Sequence, residues 1–229
     1  MNITTDSCVI RGRHQVGVIS QQLNYQGTGT LVRITRGGIC GSDLHYYQHG
    51  RVGNFMVKMP MIPGHEVTGY VVKSDNPGLA EHQKVAINPA KACGHCKYCA
   101  AQQENQCTGM RFFGSAMYFP HVDGGFSQYI IVDSAQCIPF DHQADEKVMV
   151  FAEPLAVCLH ATYQAGELQG KKVFISGVGP IGCLIAAAAK ARGATEVVCT
   201  DISPRSLAMA QQMGATLTLN AADGDFSPY

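Results

Sequence analysis

The chain has 229 residues, 17 basic and 17 acidic side chains for a net charge of zero, and 46% hydrophobic against 15% charged residues. That balance leaves no basic face for neutralising phosphates, so nucleic acid is not the expected partner, and the composition is that of a folded chain. The length suits one large domain or about one and a half ordinary ones.

The opening MNITTDSCVIRGRH has no basic segment leading into an apolar core, so no leader is expected. The longest apolar run, Ile181 to Ala189, is too short to span a membrane, so no membrane partner is expected. A cytoplasmic, reducing location follows for the ten cysteines, and there clustered cysteines bind metal more often than they pair. In chain order, short β-branched runs at Ser7–Ile10, Val16–Ile19, Thr30–Thr35, Val67–Val72, Lys84–Ile87 and Phe126–Val132 are broken by Gly, Asn and Pro. They predict a compact β-barrel or sandwich. From Ala144 to Leu168 the spacing turns helical, with Phe151, Leu155, Leu159 and Tyr163 repeating every fourth position. Lys171–Ser176 then reads as a buried strand, Gly182–Arg192 as an alanine-rich helix, and Glu196–Thr200 as a second strand. Ser203 and Pro204 open a helix to Met213, and Thr216–Leu219 follows as a third strand. The order βαβαβ is half of a doubly wound parallel sheet.

Cys93, Cys96, Cys99 and Cys107 stand as CGHCKYCAAQQENQC. Four thiolates at such spacing can fill every position around a tetrahedral Zn²⁺, a structural site closed to substrate. His95 lies inside the loop, but four cysteines suffice without it. A second constellation is dispersed: Cys40 in GGICGSDLH and His65–Glu66 in PGHEVTG, with Glu153 in FAEPLAV as a further candidate. Thiolate, imidazole and carboxylate leaving one position open is the arrangement of a catalytic zinc. Singly, each of these residues has an ordinary explanation as a buried thiol, a core imidazole or a helix cap. Their joint occurrence with the cysteine lobe carries the reading.

Gly177, Val178, Gly179, Pro180, Ile181 and Gly182 form G-x-G-x-x-G directly after a strand and opening a helix. Gly177 permits the turn, Gly179 lets a pyrophosphate approach the backbone, and Gly182 lets helix and strand pack closely. Asp201 ends the next strand and is expected to accept hydrogen bonds from the ribose hydroxyls, favouring NAD. Arg205 nearby leaves NADP open.

Together these motifs resemble the zinc-dependent medium-chain alcohol dehydrogenase family over the whole chain, with GHE (64–66), the cysteine lobe and the GVGPIG turn in family order. CGSDLHYYQHGRVGNF (40–55) and MRFFGSAMYFPHVDGGF (110–126) resemble its polyol, sorbitol-type branch. One departure is Asp75, where the family usually has a small residue. The resemblance implies a GroES-like β-barrel catalytic domain over 1–150, with a structural zinc lobe at about 93–107. A dinucleotide-binding Rossmann domain, a doubly wound parallel sheet, would begin at 151 and stop near its third strand at 229. It implies that Cys40, His65 and Glu66 or Glu153 hold a catalytic zinc, that Ser42 takes the substrate proton and that His45 relays it to solvent. It also implies hydride exchange between a secondary alcohol of a polyol or sugar acid and NAD(P), in a homo-oligomer, dimer or tetramer. For a sugar acid, Arg51, Arg111 and His121 are candidate cations for the carboxylate. The rivals are an inactive zinc-binding fragment and a zinc-free, quinone-reductase-like member. Cys40, His65 and the lobe argue against the second.

Overall fold

The computed structural model describes residues 1–224, which divide into two compact units, Met1–Glu153 and one beginning at Pro154. The first opens with an antiparallel hairpin of β1 (Asn2–Gly12) and β2 (Gln15–Asn24). β3 (Thr30–Gly38) leads to α1 (Gly41–His49), and β4 (Arg51–Val52) pairs with β5 (Phe55–Met56). β6 (Glu66–Ser74) and β7 (Lys84–Ile87) follow. Then come β8 (Ala90–Lys91), α2 (Lys97–Ala100) and β9 (Arg111–Phe112), with β8 and β9 paired across the cysteine segment. β10 (Tyr129–Val132), β11 (Cys137–Pro139) and α3 (Glu146–Met149) complete the unit.

Its main sheet is antiparallel, in the order β10-β3-β6-β7-β11. Alternate β-branched residues of these strands, Val32, Val67, Val71, Val85, Ile87 and Val132, build its core. At roughly 1.5–3 kcal/mol for each fully buried aliphatic side chain, this layer is the scaffold on which the ligand-bearing loops rest.

The expected barrel is not formed, because no sheet among the described residues closes on itself. At one edge β11 has three residues and ends in Pro139, which has no N–H to extend a ladder. At the other edge the β1–β2 hairpin approaches β10 but joins it through a single bridge, Ser7 to Ser127. Where a ladder would continue, the Tyr129 N–H donates to the Thr5 hydroxyl oxygen at 3.0 Å instead of to a carbonyl. The hairpin is therefore a two-stranded sheet of its own.

Two further expectations change. Between Thr35 and Val67 the sequence pattern assigns no element, yet α1 forms there without an apolar stripe. Its signal is a capping box in which the N-cap Cys40 and Asp43 bond each other's backbone, together with Gly50 in the left-handed region at φ 68. The helical stretch 144–168 is two helices, α3 and α4 (Ala152–Gln164). The buried face of α4 is Pro154, Cys158 and Thr162, one position out of step with the apolar stripe. Phe151 is 48% and Tyr163 66% exposed. Arg192 fixes the helix end by donating to the Thr162 and Gly166 carbonyls, with its guanidinium 4.3 Å from the Tyr163 ring centroid.

The second unit continues with β12 (Lys172–Ser176), α5 (Pro180–Ala191), β13 (Glu196–Asp201), α6 (Pro204–Gln212) and β14 (Leu217–Asn220). The strands form a parallel sheet in chain order. Ala186 and Ala189 of α5 and Leu207 and Ala210 of α6 pack on Ile175, Val197 and Cys199. Small side chains on the helices allow the close approach this layer needs. β12 is not the wholly buried strand expected: Ile175 is buried but Phe174 is exposed. Among the described residues no helix is long and apolar enough to cross a membrane.

Candidate metal centres and dinucleotide turn

The cysteine lobe hangs between β8 and β9. Its four sulfurs lie within 4.8 Å of one another, with Cys93 to Cys99 at 3.9 Å and Cys96 to Cys99 at 3.5 Å. A zinc–sulfur bond of about 2.3 Å gives a tetrahedron edge of about 3.8 Å, so the sulfurs stand at the spacing the ion requires. Backbone N–H groups of Cys99 and Thr108 draw the Cys96 thiol down to about 5. Burial, then the neighbouring Cys96 sulfur, pushes Cys99 up to about 12. Crowded thiols cannot all ionise side by side without a cation, and a divalent metal removes that conflict. His95 is exposed, with Nδ1 2.8 Å from the Cys93 carbonyl, outside the sulfur cage.

The dispersed residues also meet. Cys40, at the N-cap of α1, and His65 and Glu66, at the start of β6, place one donor atom each within 4.8 Å of the others. His65 and Glu66 are buried and Cys40 is half-buried. Glu153 lies outside this close group, although its charge acts on His65. Hydrogen bonding to His65 lowers the Cys40 thiol. Burial opposes a charged His65, but the Cys40 hydrogen bond and the charges of Asp43, Cys40 and Glu153 outweigh it and raise the imidazole. Burial raises both Glu66 and Glu153, partly offset by His65. A thiol, an imidazole and one carboxyl thus converge, with the Glu153 carboxyl acting from outside the close group and only His65 to neutralise them, a donor set whose chemistry suits zinc.

Asp43, which the sequence reading passed over, holds this centre together. Its buried carboxylate accepts the Cys40 N–H at 2.9 Å and the Gly64 N–H at 3.1 Å, tying the two ligand-bearing segments to one side chain. The signal was present as Cys40-x-x-Asp43, the spacing of a capping box. On the far side Gly125 donates to the Gly64 carbonyl at 2.8 Å and Phe126 to that of Pro63 at 3.1 Å. Gly64 is at φ 92, and a Cβ there would lie 2.2 Å from the Phe126 ring. A Cβ at Gly38 would lie 2.2 Å from Glu66 Oε2, so the carboxylate uses space that only glycine leaves. The Phe112 ring of β9 sits 5.4 Å from His65, so the strand closing the cysteine lobe also packs against this imidazole.

Ser42, in the first turn of α1, helps lower the Cys40 thiol through its backbone and its hydroxyl. His45 and His49 follow along the helix, exposed, with ring centroids 5.5 Å apart. Of the cations considered for a carboxylate, His121 is already engaged. Its Nε2 accepts the Lys58 N–H at 2.9 Å and its Nδ1 lies 2.8 Å from the Tyr118 carbonyl. Arg111 lies over the Tyr118 ring at 5.6 Å.

In the second unit Gly177 is at φ 83, and neither Gly177 nor Gly179 would meet any atom within 4 Å if given a Cβ. That bare backbone at the N-terminus of α5 is open to an anion, with Pro180 at the start of the helix and Ile181 exposed. A Cβ at Gly182 would lie 2.1 Å from the Gly177 carbonyl oxygen, so this glycine serves packing. Asp201 accepts the Val178 N–H at 2.9 Å and the Ser203 N–H at 2.8 Å, and these backbone donors, Ser203 first, hold its carboxyl below its usual range. Its carboxylate is therefore fastened to the turn and stays ionised, one oxygen committed to each backbone donor. Arg205 is exposed on the first turn of α6.

A family model described as the alcohol dehydrogenase GroES-like domain matches residues 26–142, and one described as a zinc-binding dehydrogenase matches residues 180–228. The chain is 63% identical to L-idonate 5-dehydrogenase (NAD(P)(+)) of Escherichia coli over all 229 of its residues, covering 67% of that protein. It is 38% identical to sorbitol dehydrogenase of Bacillus subtilis over 85% of its own length and 55% of that enzyme's. A crystal structure of L-idonate 5-dehydrogenase from Escherichia coli superimposes with a TM-score of 0.98 at 62% identity, over 100% of this chain and 66% of the other. The chain thus spans about two thirds or less of the relatives it matches.

Proposed function

The chain belongs to the zinc-dependent medium-chain alcohol dehydrogenase family, in its polyol and sugar-acid branch, and from that premise we propose that it oxidises a secondary alcohol of a polyol or sugar acid with NAD(P). The substrate assigned is L-idonate, giving 5-ketogluconate. The observation that carries this is the meeting of Cys40, His65 and Glu66 beside the Ser42 hydroxyl. The first unit takes the role of the catalytic domain, with the cysteine lobe holding structural zinc. The second takes the role of the opening part of the dinucleotide-binding domain.

Cys40, His65 and Glu66 would hold the catalytic zinc, with Glu153 as the alternate carboxylate close by. Zinc bound there would supply Lewis acidity at the alcohol oxygen, and bound NAD(P) would supply the hydride acceptor. Ser42 accepts the hydroxyl proton of the substrate and passes it to His45, which is exposed and releases it to water. Carbon loses a hydride and oxygen loses a proton, so the products are the ketone, the reduced cofactor and one proton. The Gly177–Gly182 turn binds the pyrophosphate, and Asp201 accepts a ribose hydroxyl on a lone pair its backbone donors leave free. Its negative charge disfavours a 2′-phosphate, while Arg205 keeps NADP admissible. A homo-oligomer, dimer or tetramer, in the cytoplasm completes the reading; four cysteines gathered as a metal cage suit a reducing compartment.

The test is reduced-cofactor absorbance with L-idonate and with sorbitol, on protein whose zinc content has been measured. Turnover of L-idonate exceeding that of sorbitol is expected. No turnover of either by protein that holds its zinc and binds NAD(P) would overturn the assignment.

A further inference from the structure

At the end of α1 remote from Cys40, four basic side chains surround one cavity. Arg13, His45, His49 and Arg51, with Gly53 and Met56, line a space of about 540 Å³. No acidic residue lines it, and among the described residues neither Arg13 nor Arg51 makes an ion pair or donates a side-chain hydrogen bond to the protein. A guanidinium is always charged and presents donors in a fork that matches an oxyanion, so two such forks without an internal acceptor have capacity to spare.

Three separate elements bring these residues together. His45 and His49 share one face of α1, four positions apart. Arg51 starts β4 and stands opposite Met56 of β5. Arg13 is carried by the tight β1–β2 turn, which is docked onto the helix end. There the His14 N–H donates to the Tyr47 carbonyl at 2.6 Å, and the His14 ring meets the Tyr47 ring edge-on at 5.2 Å. His14 stands in the left-handed region at φ 56 in that turn. The Gly50 Cα faces the Arg13 backbone, where a Cβ would come 3.4 Å from its nitrogen. The partial negative charge at the C-terminus of α1 makes this a tolerable place to gather cations.

We propose that Arg13, His49 and Arg51 form an oxyanion subsite for the carboxylate of the substrate, so that the protein selects a sugar acid over a neutral polyol. This rests on the dehydrogenase reading above and adds to it the feature of the substrate that is recognised. Scale agrees with it. From Ser42 to His49 the helix advances about 10 Å at 1.5 Å per residue. In a six-carbon acid oxidised at C5 the carboxylate stands about 5 Å from the reacting carbon, four carbon–carbon bonds away. The remaining gap is within reach of an arginine side chain. His45 borders the cavity and lies between the two ends, so a substrate anchored by its carboxylate extends along the proton path. His121 does not compete for this task, since both its ring nitrogens are engaged.

The experiment compares the wild type with Arg13→Gln, Arg51→Gln and the double variant. It measures kcat/KM for L-idonate and sorbitol, and calorimetric binding of D-gluconate, sorbitol and sorbitol 6-phosphate to the zinc-loaded protein. Losing a charge-assisted hydrogen bond to the carboxylate should lower the idonate-to-sorbitol ratio of kcat/KM by about tenfold or more, mainly through KM. D-gluconate binding should weaken in parallel. Arg51→Lys, which keeps the charge without the fork, should recover part of the ratio. A ratio and a gluconate affinity unchanged in a folded double variant would overturn the subsite while leaving the dehydrogenase reading intact. Binding of sorbitol 6-phosphate that is tighter than gluconate and lost in the double variant would overturn the carboxylate assignment in favour of a phosphate. Failure of the wild type to oxidise either alcohol would count against the dehydrogenase reading, and the gluconate titration would then decide the subsite alone.

Discussion

The cysteine lobe draws its four donors from one short stretch between β8 and β9, whereas the Cys40–His65–Glu66 centre draws three from the end of one strand and the start of another. In the lobe the chain itself keeps the thiols close. In the dispersed centre the sheet does that work: β3 pairs with β6, bringing Gly38 opposite Glu66, and Asp43 then ties Cys40 to the His65 loop. A local site keeps its donors together by chain connectivity, a dispersed site by strand pairing and buried hydrogen bonds.

The largest effect should come from the lobe. Structural zinc contributes about 10–16 kcal/mol in isolated zinc-finger peptides, and some of that will be felt even within a larger fold. Cys96→Ser should lose the lobe metal on dialysis and lower the melting temperature, read by metal analysis and thermal unfolding. Equal zinc content in variant and wild type would break the comparison at its first term. A smaller loss is expected for Asp43→Asn. An amide keeps one acceptor oxygen where the carboxylate has two, so one of the Cys40 and Gly64 N–H groups loses its partner. Residues that orient metal ligands typically matter by roughly 10–100-fold in affinity. Chelator competition should show that loss at the dispersed centre with the lobe metal unmoved. If the two metals weakened together, the centres would not be separately built. Smallest is Phe112→Leu, which removes an aromatic contact of about 0.5–1.5 kcal/mol. Since β9 carries Phe112 from the lobe to His65, this variant should soften the dispersed centre slightly. A visible spectrum of the cobalt-substituted protein identical to wild type would show that the lobe and the centre do not communicate through this ring.

The same contrast governs what could be read in advance. The four-cysteine spacing and the G-x-G-x-x-G turn are legible because their geometry is set within a few residues: sulfur spacing by a short loop, phosphate access by glycines before a helix. Helix α1 was hidden because nothing in CGSDLHYYQH repeats at the helical period. Its two end signals specify it instead, and one of them, Asp43, also organises the site. The stripe from Phe151 to Tyr163 misled because periodicity reports that a helix has an apolar face and says nothing of which face its neighbours cover.

By itself the sequence determined the local chemistry of this protein: which side chains can hold zinc, where a pyrophosphate can approach, and that strands give way to alternating strands and helices near residue 150. The tertiary structure decided everything that needs distant segments to meet. It left the antiparallel sheet open, since Pro139 ends one edge and a side-chain hydroxyl replaces a carbonyl at the other. It put Glu66, and not Glu153, in the close donor group, and it gathered Arg13, His49 and Arg51 around one cavity. Spacing along a chain sets distances only over a turn or two; beyond that, strand register and buried hydrogen bonds choose the neighbours.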